Sequence, residues 1–159
     1  MQLPSIDASA FEQALRAEFD DFHGFINEWF RGECPEDEDL FDQRHARHLA
    51  EGFQIILPSG RVFDRKGLIG LIRGLYGKNP RFKKQIRNIL PRPMNCRGYA
   101  LVNYEEWQRE ASNFDPPNHA RQVSAVLRIL PGDPMRLEWL QIHETTMSEE
   151  VTTGDPFDF

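Results

Sequence analysis

Leu101-Val102-Asn103-Tyr104-Glu105-Glu106-Trp107-Gln108 is the stretch that decides the fold of this 159-residue chain. Aliphatic and aromatic residues are interleaved with polar ones, which suits a pleated surface covered on one side. The stretch belongs to a run over 98–109, and runs of like character lie at 82–90, 119–130 and 136–147. Between them stand Pro91-Arg92-Pro93, Asp115-Pro116-Pro117-Asn118 and Pro131-Gly132-Asp133-Pro134. Proline presets the backbone for a turn, and glycine, asparagine and aspartate tolerate its unusual angles. Four long strands joined this way predict an antiparallel sheet.

Upstream the period changes. Phe11, Leu15, Phe19, Phe22, Ile26 and Trp29 recur every three or four residues up to Gly32, which predicts one long amphipathic helix. Ser9 and Glu12 have capping-box spacing at its start. The acidic segment 33–39, with Pro35, reads as a loop, and a short helix follows over about 40–49. Phe53–Leu57 and Arg61–Phe63 flank the turn Pro58-Ser59-Gly60 as a hairpin, and Asp64 caps a third helix ending near Gly77. Helices first and long strands afterwards define an α+β fold with the helices on one face of the sheet. The strand order inferred is 2-1-6-5-4-3.

Composition narrows the function. At 18.5 kDa, with 40% hydrophobic and 28% charged residues, the chain suits one domain with a real core. That domain is expected over 8–147, followed by an acidic, mobile tail over 148–159. No apolar run is long enough for a membrane helix, and the first residues lack the pattern of a signal peptide. Cys34 and Cys96 have no zinc spacing and no disulfide framework around them, so no metal or cofactor is expected and the location expected is cytoplasmic. Histidines His23, His45 and His48 are too sparse for a metal signature and read as pocket-rim or surface residues. The net charge of −6 hides a segment, 65–104, with ten basic residues and no acidic one. Much of it falls on the strand at the sheet edge, where lysines discourage pairing with other chains. Neither nucleic acid nor membrane is expected as a partner.

The strings 101–108, Arg121 ahead of Ser124-Ala125-Val126-Leu127, and Trp139-Leu140-Gln141-Ile142-His143-Glu144-Thr145, in this order of elements, resemble the nuclear transport factor 2-like superfamily. The likeness is to a branch of small bacterial proteins of unknown function, similar to the association domain of calmodulin-dependent kinase II and to polyketide-cyclase-like (SnoaL-like) proteins. It covers about residues 8–147. It implies a cone: a curved, six-stranded, mostly antiparallel sheet wrapped on three helices, as in cystatin-like folds. It also implies a pocket in the mouth of the cone and dimerisation through the convex sheet. The superfamily includes isomerases, dehydratases, cyclases, binding proteins and pure association modules, so fold alone does not select among them.

Strand parity supplies candidate site residues. A hairpin centred near Phe114 sets Trp107 opposite Arg121 and Asn103 opposite Ala125; the next sets Ala125 near Gln141 and Val123 near His143. Without a bulge, Asn103, Glu105, Trp107, Arg121, Gln141 and His143 share the pocket face. Glu105 is then the candidate base with His143 its partner in proton transfer, while Arg121, Trp107, Asn103 and Gln141 bind an amphipathic anionic or carbonyl ligand. Val102, Tyr104, Val126, Leu140 and Ile142 would form the convex face of a homodimer. Two readings stay open: a ligand-binding protein or isomerase/dehydratase/cyclase-like enzyme, or a non-catalytic association module in which Glu105 and Arg121 merely pair.

Overall fold

The computed structural model describes residues 6–92, 94, 96–154 and 157–159. The expectations resting on Met1–Ser5, on Pro93 in the first turn and on residues 155–156 of the tail lie outside the described residues.

Helix α1 spans Ala8–Arg31 and is capped by Asp7, whose carboxylate accepts the Ala10 N–H at 2.9 Å. Ser9, expected as the cap, lies inside the helix; a charged cap also complements the positive end of the helix. At the other end Gly32 adopts φ 70° and closes the helix. It rests against Gly77, itself at φ 61°, whose N–H donates to the Trp29 carbonyl at 2.9 Å. A Cβ on Gly32 would stand 3.1 Å from the Gly77 Cα, so the chain crosses itself here at a distance only glycine allows. Helix α2 (Glu38–Arg44) starts at the Asp37 cap, and α3 (Arg65–Arg73) at Asp64, which accepts the Gly67 N–H at 2.8 Å.

Strands β1 (Leu49–Ile56), β2 (Val62–Asp64), β3 (Lys83–Arg92), β4 (Tyr99–Arg109), β5 (His119–Leu130) and β6 (Arg136–Thr146) form one sheet in the order β2-β1-β6-β5-β4-β3. β1 runs parallel to β6 and the other neighbours are antiparallel. A short last helix, α4, covers Glu149–Thr152. No helix among the described residues is long and apolar enough to cross a membrane.

The stripe of α1 packs into the concave face. Leu15, Phe19, Phe22, Phe25, Ile26 and Trp29 are all buried, and each such side chain contributes about 1.5–3 kcal/mol by leaving water. The Trp29 indole N–H donates to the Ile72 carbonyl at 2.9 Å and ties α1 to α3. Within the core, Trp139 stacks on Phe22 with ring centroids 4.9 Å apart.

The register corrects the expected parity. Arg121 pairs with Glu106, and Trp107 with Ala120, one residue away from the hairpin centre assumed from sequence. Glu110, at φ 56°, donates its N–H to the Asn118 side chain at 3.0 Å, which sets an irregular connection no simple turn count anticipates. A second displacement lies in β6. Leu127 pairs with Trp139 as expected, but Val126 pairs with Gln141, so one extra residue is inserted around Leu140. A bulge reverses side-chain direction for everything beyond it. The β4–β5 register turns Val102 and Tyr104 to the core and the β6 bulge turns Ile142 there, at 0%, 1% and 4% exposure, rather than to the convex face. Val126 and Leu140 are half-buried.

The C-terminal residues return to the sheet. Phe157 packs on Trp107 with ring centroids 5.0 Å apart, and its carbonyl accepts from Arg109 at 3.3 Å. Arg87 lies over the Trp107 ring at 4.3 Å.

Candidate functional site

A cavity of about 300 Å³ opens between α1, α3 and the concave sheet. That is the small end of the roughly 300–1,000 Å³ occupied by small-molecule pockets. Phe22, Ile26, Phe30, Ile55, Leu68 and Phe82 give it apolar walls. Its sheet side is charged: Lys84 from β3, Glu106 from β4, Arg121 from β5 and Glu144 from β6 all line it and are all nearly inaccessible.

These four form two linked pairs. Lys84 Nζ lies 3.6 Å from Glu106 Oε2, and Arg121 donates to Glu144 Oε2 at 2.6 Å. Gln108 donates to the second Glu106 oxygen, and the Arg121 Nε–H donates to His119 Nε2 at 3.2 Å. The guanidinium also lies 4.4 Å over the Phe114 ring. One Arg121 terminal nitrogen has no protein partner, although the residue is 4% exposed. A buried guanidinium with one donor unpaired, on a residue that lines the cavity, has a hydrogen bond to offer to whatever fills it.

Two carboxylates so close cannot titrate independently. Burial and then the Glu106 charge raise Glu144 to about 7, against the pull of Arg121 and Lys84. Burial likewise opposes ionised Glu106, but Lys84 and Arg121 outweigh it and hold its carboxyl below the usual range. One stays ionised while the other exchanges a proton near neutrality. With that proton bound, two cations face one anion, and the cluster carries a single positive charge.

Two histidines complete the lining. His23 and His45 flank the Phe22 ring at 5.2 and 5.0 Å, and neither ring has a protein partner at either nitrogen. Burial, reinforced by Lys84, keeps both neutral; His45 falls to about 3 and His23 well below its ordinary value. His48, expected beside them, points elsewhere and donates to Glu18 at 2.8 Å. Among the described residues no cluster of three His, Cys, Asp or Glu side chains is placed to hold a metal ion.

Of the residues read from sequence as the site, Arg121 lines the cavity and the others do not. Glu105 lies on the convex side, accepting the Trp107 indole N–H at 2.9 Å. Trp107 is buried there by Phe157 and Arg87 rather than by a ligand wall. Asn103 donates to Ser124 at 2.8 Å on the same side, with Gln141 and His143 exposed nearby. The one-residue shift in β4–β5 and the bulge in β6 account for all five. Glu106, Glu144 and Lys84 were missed, and His23 was read only as a pocket-rim or surface residue. The signal available was that Val102, Tyr104 and Ile142 are the apolar partners α1 needs, and Glu106 and Glu144 each follow that set by two residues.

No protein-family model and no curated protein sequence matches the chain. Solved structures do. A nuclear transport factor 2-like protein of unknown function from Pseudomonas aeruginosa is 25% identical, with 87% of this chain and 99% of that one covered and a TM-score of 0.68. A candidate dehydratase of the same family from Streptomyces avermitilis is 11% identical, covering 89% and 99%, at a TM-score of 0.65. A candidate calcium/calmodulin-dependent kinase type II association domain from Thiobacillus denitrificans is 13% identical, covering 84% and 94%, at 0.58. The curved sheet, its strand order and the helix in its hollow are thus those of the nuclear transport factor 2-like, cystatin-like proteins.

Proposed function

We propose that the cavity binds a small ligand with an apolar body and a carbonyl or carboxylate head, and that Glu144 can move a proton on it while Arg121 holds its oxygen. The observation that carries this reading is the Arg121 side chain: buried, lining the cavity, paired with Glu144 and left with one donor uncommitted. Arg121 would bind the oxygen of the ligand, and Glu144, titrating near 7, would take a proton from the adjacent carbon. The electron pair of the broken C–H bond becomes the C=C bond of an enolate while the C=O π pair moves to the oxygen, where the guanidinium stabilises the charge. Return of the proton to the same or a neighbouring carbon gives exchange or isomerisation. Glu144 thus takes the role of base that sequence parity assigned to Glu105, while Arg121 keeps the ligand-binding role it had there. The fold likeness to a candidate dehydratase is compatible with this chemistry.

The test is solvent deuterium exchange into the α-position of cyclohexanone, followed by NMR, together with benzoate binding by calorimetry. Wild type is expected to catalyse exchange and to bind benzoate. Glu144→Gln should lose exchange by at least about tenfold, and Arg121→Gln should weaken benzoate. Exchange no faster than in buffer, with benzoate unbound, removes the reading.

A homodimer through the convex face is proposed alongside it. Leu90 and Tyr99, at 49% and 38% exposure, lie beside the Leu101–Val126 cross-strand pair on that face. Val126→Glu should convert a dimer to a monomer in light scattering. A wild-type monomer at high concentration contradicts it.

A further inference from the structure

We infer that the ligand carries a hydroxyl group at the end away from its carbonyl or carboxylate, seated against His23 and His45. The inference rests on the cavity being a ligand site, and it adds the class of compound: small, ring-sized and substituted at both ends. Both imidazoles line the cavity, and His23 and His45 are 5% and 1% exposed. All four ring nitrogens are without protein partners. Buried polar groups left this way are costly, so their partner must come from the cavity side.

The chemistry of the rings selects the group. Each neutral imidazole offers one N–H and one lone pair. A carboxylate only accepts and an ammonium only donates, whereas a hydroxyl does both and can pair with either the N–H or the lone pair of a neutral imidazole. Flat aromatic and aliphatic walls, Phe22, Ile26, Phe30 and Phe82, favour a ring between the two polar ends. The His23 ring rests against Tyr104 at 5.5 Å, and Tyr104 precedes Glu106, the cross-strand partner of Arg121, by two residues on β4, so the strand positions that His23 and Arg121 sit against are about 7 Å apart.

The probes are 4-hydroxybenzoate and benzoate, which differ only in the predicted hydroxyl. Wild type should bind 4-hydroxybenzoate about tenfold tighter, the worth of one well-made buried hydrogen bond. In His23→Leu and in His45→Leu that ratio should fall toward one, whereas His143→Gln on the convex face should keep the wild-type ratio. Ring-nitrogen NMR of the unmutated protein gives a second readout: signals of His23 and His45 should move with 4-hydroxybenzoate and not with benzoate. Equal binding of the two probes, or unmoved imidazole signals, overturns the hydroxyl assignment and leaves the cavity reading standing. Failure of both probes to bind overturns the two together.

Discussion

Lys84 reaches from the edge strand β3 to within 3.6 Å of Glu106, and side-chain exposures of 7% and 5% leave neither group any water to fall back on. Removing one member strands a buried charge. Glu106→Gln should therefore cost about 3–5 kcal/mol in denaturant unfolding. Adding Lys84→Met to the same chain should restore more than half of that loss. A cost under about 1 kcal/mol for the single variant would show that the pair is solvated.

Glu144 gives a pH dependence of unusual sign for a carboxylate. Its folded pKa is raised, from 4.5 to about 7, so the native state holds the proton more tightly than the unfolded chain. Its contribution favours folding most at low pH, declines as pH rises from about 4.5 to about 7, and stays diminished above. Glu144→Gln should flatten this part of the stability profile. Parallel profiles for wild type and variant across that window would contradict the assignment.

His48 also favours acid, by a different cause. Burial opposes its imidazolium, but the hydrogen bond and charge of Glu18 outweigh burial and raise its pKa. Glu18 in turn accepts the Trp139 indole N–H at 2.7 Å, so the ion pair anchors this part of the core. The contribution is complete below the unfolded value near 6.5 and is lost as pH rises through the higher folded value. His48→Gln should thus destabilise more at pH 5 than at pH 9, as read by urea melts with tryptophan fluorescence.

Gly32→Ala meets two obstacles at once. The left-handed conformation costs an L-residue about 1–2 kcal/mol, and the new Cβ would press on the backbone of Gly77 at 3.1 Å. Thermal unfolding should register at least that loss. Gly24→Ala, where nothing lies within 4 Å, serves as the control and should not be destabilised.

Much of the fold was legible because it depends on period and order. The stripe Phe11 to Trp29 specifies a helix with one buried face, and the four long runs specify the meander of β3–β6. The strand order matches the one inferred from sequence. What was not legible is parity. A period of two makes every strand residue ambiguous between faces until one is anchored, and Glu105-Glu106 offers a carboxylate to either side. The backbone angle at Glu110 and the insertion around Leu140 settle that choice, and neither has a residue signature such as glycine. Trp107 added to the confusion, since its burial comes from Phe157, fifty residues later in the chain. Lys84 looked like edge protection and instead lends its charge to the interior.

The bulge in β6 has a consequence for how such a cavity can change over generations. It is the inserted residue near Leu140 that turns Glu144 inward and leaves His143 outside. Pairing Leu140 directly with Val126 would realign the last half of the strand and bring an imidazole to where a carboxylate now stands, whereas deleting Leu140 would remove the bulge and leave Glu144 inward. Acid and histidine already sit side by side in the sequence, so a slip of register by one residue exchanges the buried ionisable group without a new side chain.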